Sequence, residues 1–243
     1  AKILKLIIQY CSKIEEILND KSNSIVELDY LNGITSLIGS LIRLYEHTKM
    51  SRVLELAIKC GDFLVNKNVP IKDPSFGHGE FGKIVIIKRL FNLTQIKKYN
   101  DFANSLLSNI DIPESLQSSK SLHWCTGCLG IDMTKNEVFD QEMQGHKIFV
   151  NNYNRLENKT LMNNDSICHG NMSLVEYFLT SSDTFEKGRS IGMAVIKLKN
   201  NNSEYKLMHN SNFEDISLFT GTSGIGYQLL RLINPEEVPS ILS

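Results

Sequence analysis

Tryptophan, proline and net charge are scarce in this 243-residue chain, which has one Trp, five Pro and a formal net charge of −1. A chain this close to neutrality has no excess of basic charge to attract nucleic acid or an anionic membrane surface, so neither is an expected partner. Long apolar runs are also missing, since Ile84–Ile87 ends at Lys88, and no transmembrane segment is predicted. The composition is that of an ordinary globular protein, long enough for one large domain over residues 1–243.

The chain has five cysteines, an odd number that no even disulfide framework accommodates. This predicts a reducing, cytoplasmic location in which the thiols are free or bound to metal. Cys11 and Cys60 lie on apolar faces of predicted helices and are expected in the core. The sequence begins at Ala1 without an initiator Met, and we expect a fragment of a longer protein.

A short motif recurs along the chain, a glycine followed by an apolar run with helical spacing. The marker glycines are Gly33, Gly79, Gly127, Gly170 and Gly221. Successive markers are 43 to 51 residues apart, which is typical of repeat architectures. Each interval accommodates two amphipathic helices, and the prolines fall between them. The sequence therefore predicts an all-α fold of about five helical hairpins.

Residues able to bind metal or move protons lie on or beside these glycine turns. If the hairpins curl into a ring, the turns gather at one end, and side chains far apart in sequence can meet there. Cys125, Cys168 and His169 offer ligands that suit zinc among the common metals. Three protein ligands leave the fourth position of a tetrahedral zinc ion open, as in catalytic zinc sites. Consecutive helical residues point about 100° apart, so Cys168 and His169 can share a metal only from a loop that enters a helix.

Three segments carry a resemblance to a known family: Trp124-Cys125-Thr126-Gly127, Cys168-His169-Gly170 and Phe76-Gly77-His78-Gly79. In this order they resemble the lanthionine synthetase C-like family, the cyclases of lanthipeptide biosynthesis, over nearly the whole chain. The segment 218–231 is similar to the end of the bifunctional (class II) synthetases. The resemblance implies an α/α toroid, an inner ring of helices inside an outer ring, with seven hairpins. We therefore expect a partial toroid of about five hairpins, without the N-terminal hairpins and any dehydratase region.

The resemblance also implies roles for individual residues. Cys125, Cys168 and His169 fall on the three zinc-ligand positions, for one Zn²⁺ per chain. His78 falls on the acid/base histidine of the family, and Asp29 falls on an acidic position near the site. The chain departs from the family around the first ligand. Thr126 stands where Tyr or His is common, Leu129 replaces a frequent Pro, and the segment Ser121-Leu122-His123 lacks an Arg found in some stand-alone cyclases.

The activity implied by the resemblance is that of a zinc-dependent lanthionine synthetase. It adds peptide cysteine thiolates to dehydroalanine or dehydrobutyrine and closes the (methyl)lanthionine rings of a lanthipeptide (lantibiotic) precursor. The implied partners are the dehydrated precursor peptide and an export and protease transporter at the membrane. The chemistry suits the residues, because a free cysteine, with a pKa of about 8.5, is mostly protonated at neutral pH and a metal favours its thiolate. A histidine can then supply the proton that the α-carbon needs.

Other interpretations stay open at this point. Cys125-x-x-Cys128 has zinc-finger spacing, so a closed structural site that includes Cys128 is an alternative. Asp29 has the position of a helix N-cap, and His78 can be a loop histidine that caps or packs. His123 is expected at the surface or in packing. The alternative function is a non-catalytic toroid that binds zinc, a peptide or glutathione.

Overall fold

The computed structural model describes residues 2–19, 27–67, 69, 73–110, 122–134, 137–138, 161–180, 182–202, 204–207 and 215–242. These residues form helices and no strands, so the all-α class predicted from the repeat is confirmed. None of the described helices is both long enough and apolar enough to span a bilayer. Pro70, Pro113 and Ser121 lie outside the described residues. The chain divides into two compact units, Ala1–Asp111 and Ile112–Ser243.

The described residues of the first unit form five helices. They are α1 (Lys2–Asn19), α2 (Ile34–Thr48), α3 (Ser51–Asn66), α4 (Glu80–Thr94) and α5 (Lys97–Asn109). Helices α2 and α3 form one hairpin and α4 and α5 form the next; α2 also packs on α4, and α1 packs on α3. Helix α4 is buried along most of its length, including the charged side chain of Lys83, which pairs with Glu80 at 2.9 Å. It is therefore the central helix of this unit.

The two hairpins of the first unit turn in the same way. Lys49 and Gln95, each directly after the first helix of its hairpin, adopt the left-handed conformation with φ of 55° and 57°. The preceding Thr48 and Thr94 each donate a side-chain hydrogen bond of 2.7 Å to the carbonyl four residues earlier. Each second helix then begins two residues after the left-handed residue. The hairpin turns thus repeat in structure, as the glycine turns do.

The second unit has four described helices. They are α6 (Cys128–Thr134), α7 (Asn171–Phe178), α8 (Phe185–Asn202) and α9 (Thr222–Ile233), with a 3₁₀ turn at Ser182–Thr184. Helix α7 packs on α6, α8 and α9. A fully buried carboxylate, Glu176 on α7, pairs with Arg231 of α9 at 2.9 Å and accepts a hydrogen bond from Gln228 at 2.6 Å. These polar contacts fix α9 against α7.

Four of the five marker glycines are the N-cap residues of helices, with nearly identical backbone angles. They are Gly33, Gly79, Gly170 and Gly221. At each, the amide after the glycine donates to the carbonyl seven residues earlier, at 2.8–2.9 Å. A Cβ at the glycine would lie 2.2–2.4 Å from the carbonyl oxygen six residues earlier. The φ values are ordinary and negative, so the turn requires glycine because of this close approach and not because of a left-handed conformation.

Within each unit, neighbouring glycine turns lie side by side. In the first unit the amides of Tyr30 and Leu31 donate to the carbonyl of Gly77, at 3.1 and 2.9 Å. In the second unit the Trp124 amide donates to the Cys168 carbonyl, at 3.2 Å. The Cys168 amide in turn donates to the next turn, to the Phe219 carbonyl, at 3.0 Å. Side chains on adjacent turns are thereby brought together, as the ring argument predicted for them.

Candidate metal centre

Cys125, Cys168 and His169 all lie on turns that enter helices. Cys168 and His169 occupy the two positions before Gly170, the N-cap of α7, and the His169 amide donates to the Ser166 hydroxyl at 3.3 Å. Cys125 precedes Gly127 by two positions, so it has the same register on its turn as Cys168 has on the next. The loop entry expected for the adjacent pair is confirmed. On this turn the two side chains can face a common point, which is not possible for neighbours inside a helix.

The three side chains converge. The two sulfurs and a nitrogen of His169 all lie within 4.8 Å of one another, and the Cys125 Sγ is 3.1 Å from the His169 Nε2. Both cysteines are buried and His169 is partly buried. Cys128, at the start of α6, is buried but does not belong to this convergent group of described residues. The arrangement is therefore that of a three-ligand group, which leaves one position of a tetrahedral metal for another molecule.

The two cysteines influence each other strongly. A hydrogen bond with the Cys168 thiol, assisted by His169, lowers the pKa of Cys125 although burial acts in the opposite direction. The same hydrogen bond, together with burial, raises the pKa of Cys168. The shared hydrogen bond thus favours a pair that holds one proton and one negative charge. A bound cation favours release of the remaining proton, because it stabilises a second thiolate beside the first.

The residues present fit a metal ion. Two thiolates and one imidazole are a donor set that zinc accepts, and a tetrahedral zinc ion would hold such sulfur and nitrogen atoms about 3.5 Å apart. His169 also has a buried Nδ1 atom without a hydrogen-bond partner among the described residues. The nitrogen that faces the Cys125 sulfur is Nε2, at 3.1 Å, so Nε2 is the atom that would bind a metal shared with the sulfurs, and Nδ1 would carry the ring hydrogen.

Two residues beside the ligands, His123 and Thr126, were given no functional role from the sequence. His123 is half-buried, and its ring lies edge-on to the His169 ring with 5.1 Å between centroids. Its Nδ1 is 3.3 Å from the Thr126 hydroxyl, which is itself 3.9 Å from the Cys125 Sγ. Burial, and then the neighbouring His169, lower the pKa of His123. The one sequence signal for these two residues was their position: His123 and Thr126 lie within two residues of Cys125, on the same turn.

The other predicted pair, Asp29 and His78, comes together in the first unit. The His78 Nδ1 is 2.9 Å from the Asp29 Oδ2, and the side chains are 38% and 12% exposed. The second carboxylate oxygen of Asp29 accepts a hydrogen bond from the Asn32 amide at 2.7 Å. Asp29 is therefore the partner of His78. It is not the N-cap of α2, which is Gly33, and its second oxygen instead holds the turn that precedes that helix.

The ring nitrogen of His78 that Asp29 does not hold is its Nε2. An imidazole oriented at one nitrogen by a carboxylate, and partly exposed to solvent, is suited to exchange a proton at the other. The structure thus brings the five predicted residues into two groups, Asp29 with His78 on the first unit and the three metal-binding side chains on the second.

Comparison with known proteins gives one family. The family model described as lanthionine synthetase C-like protein matches residues 2–243. The all-α hairpins described above are consistent with the α/α toroid of that family. No curated protein matches the chain.

Proposed function

The chain belongs to the lanthionine synthetase C-like family, and from this we propose that it is a zinc-dependent cyclase that forms thioether rings in a dehydrated peptide. The convergence of Cys125, Cys168 and His169 is the observation that carries the proposal. These three side chains would hold one zinc ion. When bound, zinc would act as a Lewis acid that favours the thiolate form of a substrate cysteine at neutral pH.

The reaction needs a proton to move as well as a bond to form. The cysteine sulfur loses its proton and bonds to the β-carbon of dehydroalanine or dehydrobutyrine, and the α-carbon then takes up a proton. We assign this second step to His78, with Asp29 accepting a hydrogen bond at Nδ1 so that Nε2 is the nitrogen that delivers the proton. The carboxylate lies 2.9 Å from Nδ1 and holds the ring in that orientation.

The ligand set suits a sulfur that has to react. Cys125 and Cys168 as thiolates would offset the charge of a divalent ion, which would leave the sulfur of a substrate cysteine electron-rich enough to react. An all-histidine site would leave a net positive charge and make the same sulfur less nucleophilic. The substrate class that follows is a peptide with both cysteine and dehydrated residues. A bacterial lanthipeptide precursor in the cytoplasm, exported by a transporter with protease activity, is the specific partner set that we propose.

The test uses the full chain, expressed with any region that precedes it, and a synthetic peptide with one cysteine and one dehydroalanine. Ring closure consumes the thiol, so alkylation followed by mass spectrometry counts the peptide that has not closed. Cys168→Ala should lose bound zinc and all catalysed closure, whereas Cys60→Ala, a buried cysteine of the core, should retain both. His78→Asn should keep one zinc per chain and slow closure at least 100-fold, because general acid catalysis contributes about 10²–10⁴-fold.

Two outcomes would change the proposal in different ways. Zinc binding without any ring closure by the wild-type chain would favour the alternative, a toroid that binds metal and peptide without catalysis. Unchanged closure by His78→Asn would remove the histidine from its role while leaving the metal centre in place.

A further inference from the structure

The Thr126 hydroxyl lies between the His123 ring and the Cys125 sulfur. Its Oγ1 is 3.3 Å from the His123 Nδ1 and 3.9 Å from the Cys125 Sγ, a contact in which a Cys125 thiol donates to the oxygen and a Cys125 thiolate accepts from the hydroxyl. The backbone keeps these groups in place, because the Gly127 amide closes the turn on the His123 carbonyl at 3.2 Å, and the Trp124 between them is buried and stacked on Phe219. The three polar groups thus form a short chain beside the candidate metal ligands.

A threonine hydroxyl has one hydrogen to donate and can accept from a second group at the same time. If the His123 Nδ1 is protonated, it donates to the Thr126 oxygen, and the hydroxyl hydrogen is then free to point at the Cys125 sulfur. Without that donor the hydroxyl can turn to His123 or to solvent, since Thr126 is exposed. His123 itself is fixed by its edge-on contact with His169.

We propose that His123 and Thr126 are positioning residues of the metal centre, with His123 orienting the Thr126 hydroxyl so that it donates a hydrogen bond to the Cys125 thiolate. The inference rests on the metal site proposed above and assigns residues to it that touch neither substrate nor metal. Hydrogen bonds from outside the ligand set fix a ligand and adjust how much charge it gives to the metal. Here the hydroxyl draws charge from one of the two protein thiolates.

The consequence concerns the fourth position. A thiolate that accepts a hydrogen bond gives less charge to the metal, which then holds an incoming sulfur more firmly. His123 and Thr126 thus place a hydrogen-bond donor beside Cys125.

The experiment uses the full chain freed of metal and titrated with Co²⁺, in competition with a chelator, under anaerobic conditions. Cobalt reports on the sulfur ligands through its sulfur-to-metal charge-transfer absorption. Thr126→Val keeps the shape and removes the hydroxyl, and His123→Phe keeps a ring against His169 and removes the donor. Both should weaken Co²⁺ binding about 10-fold or more, because Cys125 is no longer held in position, and this loss outweighs the greater charge that the thiolate gives to the metal. Both should also move the absorption to longer wavelength, because the thiolate electrons are less stabilised. Thr126→Ser and His123→Asn keep a donor and should restore much of both signals.

Thr220→Val is the matched control. Thr220 directly precedes Gly221, the register that Thr126 has before Gly127, but its hydroxyl contacts Ser217 and Asp215 rather than a cysteine. It should leave the cobalt absorption unchanged, whatever it does to stability. Wild-type affinity and absorption in Thr126→Val would overturn the inference and leave the metal site standing. Loss of a nitrogen ligand in His123→Phe would also overturn it, because His123 would then be a metal ligand. A wild-type chain that binds no Co²⁺ would overturn the metal centre and this inference together.

Discussion

At the scale of residues, Asp29 uses its two carboxylate oxygens in two different contacts, neither of which is a helix N-cap. One oxygen holds its own turn through the Asn32 amide and the other holds the His78 ring. A pattern of residue types cannot separate these roles, because both place an acidic side chain before a helix. Substitutions can separate them, because an amide keeps an oxygen for the turn and loses the charge.

We expect Asp29→Asn to keep the turn contact and lose the anion beside His78. Its free energy of unfolding should stay within about 0.5 kcal/mol of wild type, while ring closure slows about 10-fold or more. Asp29→Ala should slow closure similarly and also lose about 1 kcal/mol of stability. Urea denaturation and the closure assay on the same preparations measure the two effects. Equal closure rates in wild type and Asp29→Asn would leave Asp29 with a role in its turn alone.

Tyr99 gives a residue-scale prediction about pH. It is fully buried and donates to the Asp62 carboxylate at 2.7 Å, and burial, followed by this carboxylate, raises its pKa. The folded chain then holds the phenol proton above pH 10, where the unfolded chain releases it, so the stability that this group gives is present below about pH 10 and lost as the pH rises.

The stability difference between wild type and Tyr99→Phe should therefore shrink by about 1.4 kcal/mol between pH 8 and pH 11, one unit above the unfolded tyrosine pKa. Urea denaturation of both chains at the two pH values measures it. A pH-independent difference would contradict the assigned pKa shift, and comparison with the Phe variant removes the effect of every other group that titrates in this range.

At the scale of elements, the glycine turn is the unit that repeats. Its period was readable in the sequence, and so were the helices after it, because apolar spacing follows from burial of one helix face. Glycine at these positions allows both a sharp turn and a close approach of neighbouring groups, and the sequence does not show which of the two requires it. The structure shows ordinary φ angles and a carbonyl oxygen packed against the Cα, so close approach is the reason. Close approach of backbone leaves no trace in a single sequence beyond the glycine itself.

Two glycines near the end of the chain test this reason. A Cβ at Gly221 would lie 2.2 Å from the Asp215 carbonyl oxygen, which also accepts the hydrogen bond of the Thr222 amide. We expect Gly221→Ala to destabilise the protein by about 2–3 kcal/mol, as strained backbone substitutions do. Gly226 lies within α9 with nothing within 4 Å of its added Cβ, so Gly226→Ala should stabilise by up to about 1 kcal/mol. Thermal or urea unfolding of both variants measures this, and equal effects of the two substitutions would contradict the account.

At the scale of the whole molecule, the sequence predicted the all-α class, the hairpins and the convergence of the three metal-binding side chains. The convergence could be predicted because Cys125 and Cys168 have the same register on consecutive turns. The contacts of His123 with His169 and Thr126 could not, since they depend on side-chain orientation within a turn. The left-handed conformation of Lys49 and Gln95 could not be predicted either, because glycine and asparagine are the residues that usually mark such a turn.

Residues of the proposed mechanism lie in both compact units. The metal-binding group belongs to the second unit and the proton-carrying pair to the first, while the family match extends across both. The proposed function therefore needs the whole chain, and neither group alone is expected to catalyse ring closure.

The central claim is most directly tested by ring closure of the cysteine and dehydroalanine peptide before and after metal removal. The wild-type chain should close the ring with one zinc bound. It should fall to the rate of the peptide alone when a chelator removes zinc, and it should recover when zinc returns in equal amount to protein. Ring closure that continues at the original rate in zinc-free protein would contradict the account.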